Sequence, residues 1–205
     1  MDRPGVVGEP MRRYYEQRAG EYDDWWLGRG LFARRERPGW DDEVAAVVDA
    51  IAALAPARVL DVACGTGFLT RRLRGAVTGL DQSASMVAIA AERMPDATVV
   101  QGDAVPLPFA AGTFQRLFTA NFYGHLLEAE RAPFLAEARR VAGELVVLDA
   151  ALQDGGAAEE WQERTLADGS RHRVYKRFFT PGGLADELGG GRVLHAGRWF
   201  VVVAA

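Results

Sequence analysis

Val59-Leu60-Asp61-Val62-Ala63-Cys64-Gly65-Thr66-Gly67 reads as an apolar strand that ends in an acid and runs straight into a glycine-rich turn. A short apolar run of this kind suits a strand buried on both faces, as in a parallel sheet. Leu69 and Leu73 follow at the i, i+4 spacing of a helix, so Arg58 to Ala63 predicts a first strand and the residues after Gly67 a first helix. Glycine at 65 and 67 permits positive φ and lets a ligand approach the backbone closely.

The same alternation continues toward the C-terminus. Ala76 to Leu80 predicts a second strand, and Ser83 or Ser85 can cap a helix with Met86, Val87 and Ala90 on its apolar face, ended by Pro95. Thr98 to Gln101 makes a third strand, Pro106 and Pro108 enforce a loop, and Phe114 to Ala120 makes a fourth. Leu126 to Val141 has amphipathic spacing at Leu127, Phe134, Leu135 and Ala138, with Gly143 to end it, and Glu144 to Ala150 supplies a fifth strand. After Gln153 the pattern turns polar until Pro181 opens a short helix ahead of strands at Arg192 to His195 and Trp199 to Val203, close enough to form a hairpin.

Repeated β-α-β order predicts an α/β fold: a Rossmann-like three-layer sandwich whose mainly parallel, seven-stranded sheet carries an antiparallel C-terminal hairpin strand. Ligands in such sheets bind beyond the strand carboxyl ends. The expected organisation is one domain over 1–205, with a cofactor-binding core at 58–150 and a C-terminal helix and hairpin at 181–205. An N-terminal helical segment at 1–45 and a polar segment at 153–180 flank that core as candidate covers.

Composition narrows the function classes. At 205 residues, with 49% hydrophobic and 25% charged residues, the chain suits a single globular domain with a sizeable core. Met1 to Gly20 carries Asp2, Arg3, Glu9, Arg12, Arg13 and Glu16 with no apolar run, which excludes a signal peptide there. No stretch approaches the roughly 18 apolar residues of a membrane span, so a cytoplasmic protein without membrane contact is expected. A single cysteine agrees with a reducing compartment, and with three scattered histidines it gives no metal signature. A net charge of -4 argues against a nucleic-acid partner. Basic clusters at Arg34, Arg35 and Arg37, and at Arg171, Arg173, Lys176 and Arg177, read either as solvated faces or as parts of a cover that steers an anionic acceptor.

The chemistry starts at the quoted stretch. A helix after Gly67 would offer free N–H groups and a partial positive charge to a carboxylate or phosphate. Asp61 would repel a pyrophosphate but attract an ammonium, so a ligand with both carboxylate and ammonium fits best, as in the methionine part of S-adenosylmethionine. Asp81 closes the second strand, where an acid can accept hydrogen bonds from ribose hydroxyls. Asp103, after the third strand in Gln101-Gly102-Asp103-Ala104, can take the exocyclic amine of adenine. Each acid alone could equally be a turn or cap residue; together, after three successive strands, they point to a nucleoside site.

Over Arg58 to Ala150 the sequence resembles the class I S-adenosylmethionine-dependent methyltransferases, especially the type 11 branch related to ubiquinone and menaquinone biosynthesis C-methyltransferases. The family's Asp/Glu-x-Gly-x-Gly-x-Gly loop corresponds to Asp61, Ala63, Gly65 and Gly67, with Ala63 replacing the first glycine. The resemblance implies that Asp81 and neighbouring Gln82 hold the ribose, that Met86 packs on adenine, and that Gly102, Asp103 and Ala104 read the base. It also implies that Ala120 and Asn121, at the end of strand four, meet the methionine ammonium, and that Tyr14 and Tyr22 of an entry helix lie near the cofactor.

On the acceptor side, His125 follows strand four, where an imidazole suits proton removal, though a structural capping role fits as well. Tyr123 either orients the acceptor or fills the loop. His172 belongs to the second basic stretch, and His195 reads as structural. Trp25, Trp26 and Trp40 either line an apolar acceptor pocket or pack. Cys64 lacks any visible environment that would activate it as a nucleophile. The function expected is methyl transfer to oxygen, nitrogen or carbon of a small molecule. An NAD-dependent oxidoreductase fits less well, because Gly-x-Gly-x-x-Gly would need glycine at Thr70; a non-catalytic S-adenosylmethionine-binding protein is the remaining alternative.

Overall fold

The computed structural model describes residues 8–205; the first seven residues of the expected N-terminal segment lie outside the described residues. Strands β1 (Ala57–Val62), β2 (Gly75–Asp81), β3 (Thr98–Gln101), β4 (Phe114–Ala120) and β5 (Ala142–Ala150) pair in parallel. β6 (Glu159–Thr165) and β7 (Arg171–Arg177) form a separate antiparallel hairpin. β8 (Arg192–Ala196) and β9 (Phe200–Ala204) complete the main sheet, in the order β3-β2-β1-β4-β5-β9-β8, with β9 antiparallel to both β5 and β8.

The alternation of side chains along each strand fills two cores. Leu60, Val62, Leu117, Leu145, Val147, Val201 and Val203 face one way, against Phe134, Leu135 and Ala138 of α5 (Glu128–Val141) and Leu184 of α6 (Pro181–Glu187). Val59, Phe118, Val146, Leu148, Phe200 and Val202 face the other way, against Val47 and Ile51 of α3 (Trp40–Ala52). Both faces are therefore apolar, as a covered parallel sheet demands. α4 (Ala84–Arg93) lies along β2 and β3, capped by Ser83, whose hydroxyl accepts from Met86 N at 3.1 Å.

Four local expectations fail. No α-helix follows the glycine-rich loop; a single 3-10 turn at Thr70–Arg72 is all that fits before β2 begins at Gly75, although Leu69 and Leu73 are both buried. Leu127 caps α5 from an exposed position instead of joining its apolar face. Gly143 lies inside β5, because α5 passes directly into the strand at Ala142. The N-terminal segment is not one unit: α3 belongs to the sandwich, leaving α1 (Glu9–Arg18) and α2 (Asp24–Leu27) as the cap.

That cap and the β6–β7 hairpin meet over the carboxyl end of the sheet, where Tyr14 packs with Leu166 and Val174, flanked by Met11 and Tyr15. The topology reverses between β1 and β4, which is where an open α/β sheet leaves a crevice. No described helix is long and apolar enough to cross a membrane.

Candidate active site

The loop after β1 is shaped by three left-handed residues, Ala63, Gly65 and Gly67, at φ of 58°, 56° and 76°. Glycine takes this region freely, whereas Ala63 holds it against the steric preference of an L side chain, a strain that persists where the surrounding fold fixes it. At Gly67 an added Cβ would lie 2.9 Å from the Met94 side chain. This turn presents Gly65 N–H to Asp81 Oδ2 at 2.9 Å, while Ser83 N–H donates to Oδ1 at 2.9 Å. Burial pushes the Asp81 carboxyl up to about 6 in spite of those two amides.

Asp61 is buried behind the loop. Its Oδ2 accepts from the Thr70 hydroxyl at 2.6 Å and its Oδ1 has no partner, so burial pushes its carboxyl up to about 8. Asn121, at the end of the neighbouring β4, also adopts a left-handed conformation (φ 53°) and leaves its buried Nδ2 without a partner. An unsatisfied acceptor and an unsatisfied donor at the ends of adjacent strands suit the ammonium and the oxygen acceptors of a zwitterionic ligand, since buried polar groups are otherwise paired.

A pocket collects these strand ends. It is lined by Ala63 and Gly65 of the first loop, Asp81, Gln82 and Met86 after β2, Gly102, Asp103 and Ala104 after β3, and Ala120, Asn121 and His125 after β4. Tyr22 closes it from the cap. Four of the residues picked from sequence stand apart from the lining: Asp61 lies behind it, Gly67 packs on Met94, Tyr14 faces the hairpin, and Tyr123 is buried against Phe134 and Phe179 with its hydroxyl donating to Glu187. Tyr15, Met11 and Phe122 also line the pocket, although no motif in the sequence marks them. α1 is tied across it by Glu16, which accepts from the Ser83 and Ser85 hydroxyls at 2.5 Å each, and by an exposed Arg12–Asp103 pair.

A second cavity of about 700 Å³ adjoins the first and shares Tyr15, Tyr22, Asn121 and His125 with it. Arg18, Arg35, Arg37, Arg164 and Lys176 contribute five cations to its wall, against two acids, Glu21 and Glu163. Trp25 and Trp40 also border it, although Trp26 and Trp40 are themselves core residues stacked about Phe68 and Phe200. This side of the crevice is thus open, not filled.

His125 sits at the junction in a 3-10 turn over Tyr123–His125. Its Nδ1 lies 2.6 Å from the Tyr175 carbonyl, so this nitrogen carries the proton and Nε2 keeps the lone pair. Burial first, then the charges of Lys176 and Arg164, holds the ring well below the ordinary histidine range and therefore neutral. Most of the second basic stretch is neutralised: Lys176 pairs with the buried Asp149, Arg177 with Glu187 and Arg171 with Glu163, while Arg173 lies over Trp161. His172 lies against Tyr14, and His195 pairs with Glu43, which also holds the backbone N–H groups of Trp199 and Phe200. Burial pushes the Cys64 thiol up, which leaves it protonated and unreactive.

Residues 59–144 match the family described as "Methyltransferase domain". The demethylmenaquinone methyltransferase of Thermotoga maritima is 38% identical over 111 residues, which is 50% of this chain and 48% of that protein. A dTDP-3-amino-3,6-dideoxy-alpha-D-glucopyranose N,N-dimethyltransferase of Streptomyces fradiae is 39% identical over 106 residues, 50% of this chain and 40% of the relative. The chain thus spans about half the length of the curated relatives it matches. Among solved structures, the DhpI-SAM-HEP complex superposes with a TM-score of 0.78 at 26% identity, over 100% of this chain and 99% of that one. The DhpI-SAH complex gives 0.74 at the same identity, over 98% and 96%.

Proposed function

We propose that this chain, whose residues 59–144 match a methyltransferase domain, transfers the methyl group of S-adenosylmethionine to a small-molecule acceptor. The observation that carries the reading is Asp81, fixed by the Gly65 and Ser83 amides at the wall of a pocket that opens into a second cavity of about 700 Å³. A volume of that order matches pockets that enclose a small organic ligand.

The residues present fit the cofactor. Asp81 retains free lone pairs on both oxygens for ribose hydroxyls, and Met86 offers an apolar surface beside Gly102, Asp103 and Ala104 for the base. The unpartnered Asn121 Nδ2 on the pocket wall suits the carboxylate of an amino-acid end, and the unpartnered Asp61 carboxylate behind the loop suits its ammonium by charge. Bound there, S-adenosylmethionine supplies a methyl group already activated on a sulfonium. The protein's task is then largely to orient the acceptor and exclude water, which can account for about 7–11 kcal/mol of a barrier. α1 and the hairpin form the wall that does so, and Tyr15 and Tyr22 stay protonated within it because burial raises both phenols. His125, neutral with its Nε2 lone pair free, takes the proton that an oxygen or nitrogen acceptor releases.

A dinucleotide fits this loop poorly. Thr70 stands where a third glycine would be needed, and its hydroxyl is committed to Asp61, an acid that a pyrophosphate would meet. The test is calorimetric titration of the full chain with S-adenosylmethionine, S-adenosylhomocysteine and NAD. The proposal expects micromolar binding of the first two and none of the third; tight binding of NAD alone would replace it with an oxidoreductase.

A further inference from the structure

Arg18 stands out among the charges of the second cavity. It is only 6% exposed, yet no carboxylate among the described residues lies within ion-pair distance of it. Its Nη1 donates to the Tyr14 hydroxyl at 2.8 Å, and its guanidinium lies over the rings of Tyr14, Tyr22 and Phe32. Arg164, from the hairpin, approaches the same Tyr14 ring from 5.8 Å and donates to the amide oxygen of Gln162. It too has no carboxylate partner among the described residues.

The nearby acids are all committed elsewhere. Glu21 accepts from Ala167 N–H, Glu163 pairs with Arg171, Glu16 caps α4, and Asp149 neutralises Lys176. Two guanidiniums from distant parts of the chain have therefore been brought to one tyrosine, on the wall of an open cavity, without a protein anion between them. Burying a cation without a partner is costly, and folds retain such an arrangement where a ligand supplies the missing charge.

We infer that Arg18 and Arg164 form an oxyanion subsite, so that the methyl acceptor of this enzyme carries a compact anionic group, phosphoryl, phosphonyl or carboxylate. The inference rests on the methyltransferase reading for the word acceptor, while the subsite itself does not. Planar guanidiniums favour oxyanions because they donate paired, charge-assisted hydrogen bonds, which a lysine does not replicate. The subsite also has a consequence for His125 across the cavity. Arg164 is one of the charges that hold its ring neutral, and an anion between the arginines offsets that charge and strengthens Nε2 as a proton acceptor.

The experiment titrates the full chain with methylphosphonate, with acetate and with neutral acetamide, each in the absence and presence of saturating S-adenosylhomocysteine. The wild-type protein is expected to bind one or both anions and not acetamide, with the stronger anion naming the acceptor's group. Arg164→Gln and Arg18→Gln each weaken anion binding at least about tenfold, Arg164→Lys recovers part of the loss, and Arg171→Gln, which removes an exposed charge already paired with Glu163, changes nothing. Anions that bind no better than acetamide, or equally well to Arg164→Gln and Arg171→Gln, overturn the subsite. Failure of S-adenosylhomocysteine to bind overturns the methyltransferase reading instead, and the titrations made without it still decide the subsite.

Discussion

The two halves of the crevice carry opposite charge and were assembled in opposite ways. The half at the ends of β1 to β3 is acidic, with Asp61 one residue before the end of β1, Asp81 at the end of β2 and Asp103 two residues past β3, and its shape comes from backbone conformation at Ala63, Gly65 and Gly67. The other half is cationic, built from side chains of α1, of the stretch holding Arg35 and Arg37, and of the β6–β7 hairpin, which meet only because the chain folds back on itself. On the proposed reading, the cofactor is met by strand ends of the sheet, whereas the acceptor is met by elements that lie outside the sheet and are held to it by a few polar contacts.

The contact that ties the hairpin to the sheet should be the most sensitive point. Asp149, fully buried at the end of β5, accepts from Gly124 N–H and Ala150 N–H and pairs with Lys176 of the hairpin. Asp149→Ala leaves that lysine buried and unpaired and is expected to cost about 3–5 kcal/mol in chemical denaturation. Asp149→Ala combined with Lys176→Met should recover a large part of it, and a loss that persists in full would show that the hairpin is not held by this pair.

His125 comes next, because it stands where the halves meet. His125→Gln is expected to lower kcat about 100-fold for an oxygen or nitrogen acceptor while leaving S-adenosylhomocysteine affinity within a few-fold of wild type. An equal fall in cofactor affinity would make its role structural, through the Tyr175 carbonyl alone.

Acidity offers a smaller and more graded test of the cofactor half. Asp81 and Asp61 are raised by burial to about 6 and about 8, so the ligand-free site holds them partly protonated near neutrality. Binding hydroxyls and an ammonium requires the carboxylates, and cofactor affinity should rise with pH by up to about tenfold per unit below each group's value, levelling off above about 6 for Asp81 and about 8 for Asp61. Stability runs the other way: a carboxyl raised in the fold contributes most below its unfolded value, and this contribution is lost as pH rises through about 6 and about 8. Asp81→Asn should erase the lower step of the affinity profile and Asp61→Asn the upper one. A flat profile in the wild type would contradict the assignment.

The smallest effect is expected at Ala63. Replacing it with glycine relieves a left-handed alanine at φ 58° and should raise stability by about 0.5–1 kcal/mol, or a few degrees in Tm, without changing cofactor affinity. A fall in Tm would mean that the Ala63 methyl packs usefully in the pocket.

The same contrast governs what was legible in the sequence. β3 and β4 fall on the residues expected, because prolines at 95, 106 and 108 bracket the first and break the chain ahead of the second, and the acids near the ends of successive strands identify one half of the crevice by position alone. The absent helix after Gly67 was not legible, since Leu69 and Leu73 satisfy helical spacing yet are buried by a single 3-10 turn. The sequence points to Tyr14 where Tyr15 lines the pocket; neighbours on a helix point about 100° apart, and nothing local fixes the rotation of α1. Arg18 and Arg164 carry no sequence signal at all, while the conspicuous Arg171 to Arg177 run is largely consumed by its own carboxylate partners. Charge density along the chain is a poor guide to charge left over after folding.

The most direct test of the central claim is calorimetric titration of S-adenosylhomocysteine into the full chain beside Asp81→Ala. Loss of charged hydrogen bonds to two hydroxyls should weaken binding from the micromolar range by at least about 100-fold. Equal affinity in the two proteins, or no binding to the wild type, would contradict the assignment of this crevice to the cofactor.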